Sequence, residues 1–211
     1  MGLTQIGASI LTALLVGLWA RGAARGYFLL ALSALALFWF QPAVPLRSFD
    51  FWIPSLSIFL VVIVWFITST AGAWKSRQNL IGLAVLIGMI VLVDLTRYIF
   101  PNPILTTTTA PRLIIVIGFF VVAAFAVATS TILSRRLAFT FSLAIISLII
   151  LLLILKSPFL SLQASIFFRA LTNRPLDTAS ALDLRWLGFS YISFRLIHVL
   201  RDKQTGRLPE L

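Results

Sequence analysis

Apolar residues run along this chain in long blocks, and polar residues gather in the short gaps between them. A helix needs about 20 apolar residues to cross the hydrocarbon core of a bilayer, within a usual range of about 17–25. Six blocks come close to that length, at 5–20, 27–46, 51–71, 80–100, 113–133 and 137–155, the first of them short. A seventh, 187–200, is shorter still and carries Arg195 and His198, so hydropathy ranks it last. The pattern predicts an all-α polytopic membrane bundle of about seven transmembrane helices plus an interfacial helix. Six helices fall in 1–155, an interfacial or loop segment in 156–186, and a polar-striped helix with a cytoplasmic turn in 187–211.

The gaps read RGAARG (21–26), RSFD (47–50), GAWKSRQN (72–79), PNPILTTTTAPR (101–112) and SRR (134–136). The first, third and fifth each carry two net positive charges, whereas the second balances Arg47 against Asp50 and the fourth holds only Arg112. Basic gaps stay on the cytoplasmic side, which places the N-terminus outside and the tail RDKQTGR (201–207) inside. No positive region precedes the first block and Arg21 and Arg25 follow it, the reverse of a secretory signal, so the first helix is retained. Within 156–186, the stretch 157–174 mixes Phe, Leu and Ile with Arg169 and Arg174, as a helix lying along the interface does. The remainder, 175–186, opens on a proline turn and sets Asp177 and Asp183 before the last helix.

Composition agrees with a lipid solvent. Mean hydropathy is +1.06, and charged residues make up 11% of the chain, about half the share usual in soluble domains. Seventeen Lys and Arg against six acidic residues give +11. The basic residues sit in the gaps and form no stripe with interleaved aromatics, so they fit membrane orientation and lipid phosphates, and nucleic acid is not expected as a partner. With no cysteine and a single histidine, no metal site and no cofactor are expected.

Ionisable groups inside a span need a partner, a cavity or a function. Asp94 and Arg97 stand three apart on one face of the fourth block, a spacing that suits an intramembrane or helix-end ion pair. In the last helix Tyr191, Arg195, His198 and Asp202 step by four, three and four and therefore share a face, with Ser190 beside them. That stripe faces protein or water and is the candidate lining of a substrate cavity. His198 reads either as a general base or as a hydrogen-bonding group holding the bundle together, and the second reading is preferred because no nucleophile or orienting partner is evident. A triad of His198 with Asp202 and Ser190 or Ser193 has poor geometry, since residues along one stripe project side by side and do not converge. No residue is assigned as catalytic.

The stretch WLGFSYISFRLIHVLRDKQTGRLPEL (186–211) resembles the signature in the middle of membrane-bound O-acyltransferases, including the bacterial alginate O-acetyltransferase and teichoic-acid D-alanyltransferase groups. There a Gly, Ile or Phe, Ser, Phe or Tyr start leads into an aromatic or Arg-bearing helix and then an Asp in the following turn. The matching residues are Gly188, Phe189, Ser190, Tyr191, Phe194, Arg195, His198 and Asp202. The resemblance implies a many-helix enzyme of the bacterial plasma membrane that moves an acyl group from a donor to a hydroxyl of a carbohydrate acceptor. It also implies a catalytic histidine on a later helix, a position His198 does not occupy. On this resemblance the chain is expected to be the N-terminal portion of a longer enzyme, inactive by itself. Two alternatives stand beside it: a small complete scaffold or transporter subunit whose last helix meets a partner, and a lipid-modifying enzyme using Asp94 and Arg97.

Overall fold

The computed structural model describes residues 3–70, 72–99, 106, 108, 110–136 and 139–207. Among the described residues the chain is helical and has no strand. Eight α-helices follow one another: α1 (Leu3–Trp19), α2 (Ala23–Trp39), α3 (Phe49–Thr68), α4 (Arg77–Ile99), α5 (Leu113–Arg136), α6 (Phe139–Lys156), α7 (Pro158–Leu171) and α8 (Phe189–Gln204). Short 3-10 turns at Ala73–Lys75 and Ala181–Leu184 precede α4 and α8.

Three helices, α3, α4 and α6, are long and apolar enough to cross a membrane, fewer than the seven expected. The shortfall has local causes. At 17 residues each, α1 and α2 sit at the lower edge of the spanning range. The block at 27–46 loses its last third because Pro42 and Pro45 lack the backbone N–H that continues a helix, and α2 ends at Trp39. The 16-residue α8 is shorter still and carries too many polar groups.

The helix nearest the centre is α3, packed on α2, α5 and α8. Half of its spanning window is buried inside the protein, against 17% for α4 and 11% for α6, whose apolar surfaces therefore face outward. One side of α3 joins Phe38 of α2, Ile90 and Val93 of α4 and Val116 of α5 around Phe51 and Ile58. The other side presents Val64 and Ile67 to Leu148 of α6 and to Leu196 and Leu200 of α8. Burying one such side chain contributes about 1.5–3 kcal/mol when the alternative is water, and much less when it is lipid. Buried polar contacts therefore matter more in fixing which faces meet.

At the head of α3, Ser48 adopts a left-handed φ of 62° and its side chain makes no capping bond. Asp50, fully buried in the first turn, accepts hydrogen bonds from the Thr108 backbone N–H at 2.6 Å and the Thr108 hydroxyl at 2.5 Å. The Ser48 N–H in turn donates to Thr108 Oγ1 at 3.2 Å. The carboxylate sits where the helix dipole favours negative charge, and it fastens the loop between α4 and α5 onto α3.

Candidate functional site at the α7–α8 junction

Ser157 caps α7, accepting from the Leu160 N–H, and Pro158 takes the first helical position, where its missing N–H costs nothing. The helix is amphipathic in the reverse of the soluble sense. Ser161, Ser165 and Arg169, four residues apart, are buried, while Phe159, Phe167 and Leu171 are exposed. The inward face meets the 3-10 turn Ala181–Leu184. There Arg169 Nε lies 2.6 Å from Asp183 Oδ2, which also accepts from Ser165 Oγ at 2.6 Å and from the Ser180 N–H at 3.4 Å. A second Arg169 nitrogen donates to the Pro175 carbonyl at 3.1 Å and to Thr178 Oγ1 at 2.6 Å. Ser180 and Asp183 close a capping box over the turn.

Burial taken alone raises the Asp183 pKa and is the largest single influence. The hydrogen bonds from Arg169, Ser165 and the Ser180 N–H, with the Arg169 charge, together outweigh it and hold the carboxyl below its usual value. Asp183 is thus ionised, with three donors on Oδ2, a brace and a poor proton acceptor. Sequence reasoning read Arg169 as an interfacial charge and Asp183 as a loop acid. The i, i+4, i+8 run of Ser161, Ser165 and Arg169 was the one legible signal that α7 turns a polar face inward.

The junction is stapled to the bundle by three contacts. Trp186 Nε1 donates to Ser57 Oγ on α3 at 2.6 Å. Gln41 Nε2 donates to the Arg185 carbonyl at 2.6 Å, and Gln41 Oε1 accepts from the Leu187 N–H at 3.4 Å. Gly188 then adopts a left-handed φ of 69°, a conformation in which a side chain would be strained, and the chain turns into α8. Phe189, Ser193, Leu196 and Leu200 are consequently buried. Ser193 Oγ has no hydrogen-bond partner among the described residues.

The α8 stripe lies on the opposite face. Tyr191, Arg195 and His198 are exposed and Asp202 is half-buried. Arg195 Nε donates to the Tyr191 hydroxyl at 3.2 Å, with the guanidinium 5.3 Å from the ring centre. Ser190 borders a cavity of about 430 Å³ together with Phe40, Lys156, Arg185 and Trp186. The stripe residues do not converge on a point, in keeping with their side-by-side projection. Of the other candidate pair, Asp94 is fully buried on α4, next to the core residue Val93. The Arg97 side chain lies outside the described residues, so the pairing does too.

A larger cavity of about 700 Å³ opens between α3, α4 and α5. Its walls are apolar, from Ile58, Val62, Leu86 and Phe120 among others, and Ser69, Thr70 and Trp74 stand at one end. Such a slot accommodates a hydrocarbon chain but offers little to orient a reaction.

The chain matches no protein family model, no curated protein and no solved structure.

Proposed function

We propose that this chain is the N-terminal part of a membrane-bound O-acyltransferase that esterifies a hydroxyl of a cell-envelope polysaccharide or similar acceptor, and that it is inactive alone. The observation that carries this reading is the outward polar face of α8. That helix runs antiparallel to α6 along its length: Gln204 Nε2 donates to Ser142 Oγ at the start of α6, and Phe189 and Ser190 share a cavity wall with Leu152 and Leu155 near its end. In this reading α8, whose 16 residues rise about 24 Å, accompanies α6 through most of a bilayer as a further span. Arg195 and His198 then stand at membrane depth on a face uncovered by α1–α7, where a bare arginine costs about 2.5–3.5 kcal/mol. Further helices of the same enzyme remove that cost and make the face the inner wall of a site. The sequence resemblance over 186–211 supports the same conclusion, and the apolar slot between α3, α4 and α5 suits an acyl chain. In this reading the N-terminus is outside, α8 ends in the cytoplasm, and the membrane is the bacterial plasma membrane.

The test is expression of everything the gene encodes in a host whose envelope polysaccharide lacks O-acyl groups, followed by measurement of alkali-labile ester. The complete product should introduce ester, residues 1–211 alone should introduce none, and His198→Ala in the complete product should retain transfer. No ester from a normally expressed complete product overturns the reading. The same face of α8 favours one alternative, in which a separate subunit covers it and the chain is a scaffold or transporter component. A partner that co-purifies with the wild type and is lost on Arg195→Leu, with no ester formed, selects that alternative.

A further inference from the structure

A cavity of about 600 Å³ beside the α7–α8 junction is lined by Arg169, Arg174 and Arg185, with Thr178, Ser180 and Asp183. Three arginines and one aspartate line it, and the carboxylate is already committed to Arg169. Arg169 is likewise occupied by Asp183, Pro175 and Thr178. Among the described residues no hydrogen bond engages the guanidinium of Arg174 or Arg185, and both side chains are exposed. The cavity is therefore bordered by two arginines with uncommitted guanidiniums, planar donor forks of the kind that recognise phosphate bidentately.

The surroundings select the source of the phosphate. Phe167 and Leu171 on the outer face of α7, Leu176 in the following loop and Leu182 on the cavity wall are all exposed. Exposed apolar side chains beside uncommitted arginines match an amphiphile at the membrane interface, with its headgroup in the cavity and its chains along α7. We infer that this cavity binds the headgroup phosphate of an anionic phospholipid, with Arg174 and Arg185 as the phosphate ligands and Arg169–Asp183 as the brace that shapes the wall. The site is independent of the acyltransferase reading and requires only that α7 lie at the bilayer surface.

The test uses the full chain purified in detergent. Retention of dioleoyl phosphatidylglycerol relative to dioleoyl phosphatidylcholine is read by native mass spectrometry. The wild type should favour phosphatidylglycerol by about tenfold, corresponding to about 1.4 kcal/mol. Arg174→Gln with Arg185→Gln should bring the preference close to unity, and Arg174→Lys with Arg185→Lys should restore part of it. Removing the same number of charges elsewhere, as Arg21→Gln with Arg25→Gln, should leave it in place. Equal losses from both Gln pairs would reduce the effect to general electrostatics and overturn the site. Displacement of the lipid by inorganic phosphate as readily as by a short-chain phosphatidylglycerol would also overturn it, assigning the cavity to a free anion. Both Gln pairs change exposed side chains, and unaltered thermal unfolding of each keeps the comparison interpretable.

Discussion

Helices α7 and α8 are both amphipathic, yet they turn opposite faces to the protein. In α7 the buried positions are Ser161, Ser165 and Arg169, and the exposed ones include Phe159, Phe167 and Leu171. In α8 the buried positions include Phe189, Leu196 and Leu200, and the exposed ones include Tyr191, Arg195 and His198. An amphipathic helix points its apolar face away from water, so the two helices meet different surroundings. The outer face of α7 suits hydrocarbon or its interface. The outer face of α8 suits protein or water.

The contrast rests most heavily on the Arg169–Asp183 pair, which makes the polar interior of α7 affordable. Arg169→Leu leaves Asp183 buried without its cation and should lower stability by about 3–5 kcal/mol, read as thermal unfolding in detergent. Unaltered unfolding would mean that the inward face of α7 is wet. The next largest effect should come from placing charge on the two outer faces. Leu171→Asp should destabilise the protein in nanodiscs by about 2 kcal/mol, whereas Tyr191→Asp should change the isolated chain by less than about 0.5 kcal/mol. Equal sensitivity at both positions would erase the distinction between the helices.

A smaller effect follows from pH. The Asp183 carboxyl titrates below its usual value in the folded protein, so its contribution to stability is fully present above the unfolded-state pKa of about 3.9 and is lost as pH falls through the folded-state value. Thermal stability should therefore decline below about pH 4 in the wild type, and less steeply in Asp183→Asn. Identical acid limbs would remove Asp183 from the linkage. The smallest effect is expected at Ser193, whose buried hydroxyl has no partner among the described residues. Ser193→Ala should be neutral or stabilising by up to about 1 kcal/mol, and a clear loss of stability would reveal a bond that a water supplies.

Much of the helical order was legible in the chain. The blocks at 80–100, 113–133 and 137–155 correspond to α4, α5 and α6, and the expected interfacial stretch 157–174 contains α7. Periodicity alone also put Tyr191, Arg195 and His198 on one face. It could not say which way that face turns, because a helical stripe has the same spacing whether it points into a bundle or away from it. The last third of 27–46 was lost to prolines that an averaged hydropathy overlooks, and Gln41, within that third, became a clasp on the junction.

What the sequence by itself determined is the presence of apolar helices, their order and the gaps between them, since these depend on neighbours in the chain: length, hydropathy and the residues that start or stop a helix. Only the tertiary structure decided that Asp50 would bind Thr108, that Arg169 would close on Asp183, and that Trp186 would reach Ser57 across 129 positions. These are contacts between polar groups distant in sequence, each made where a buried donor or acceptor must be satisfied. Such a partner has no periodicity by which to announce itself, and it becomes visible only when the fold brings the two groups together.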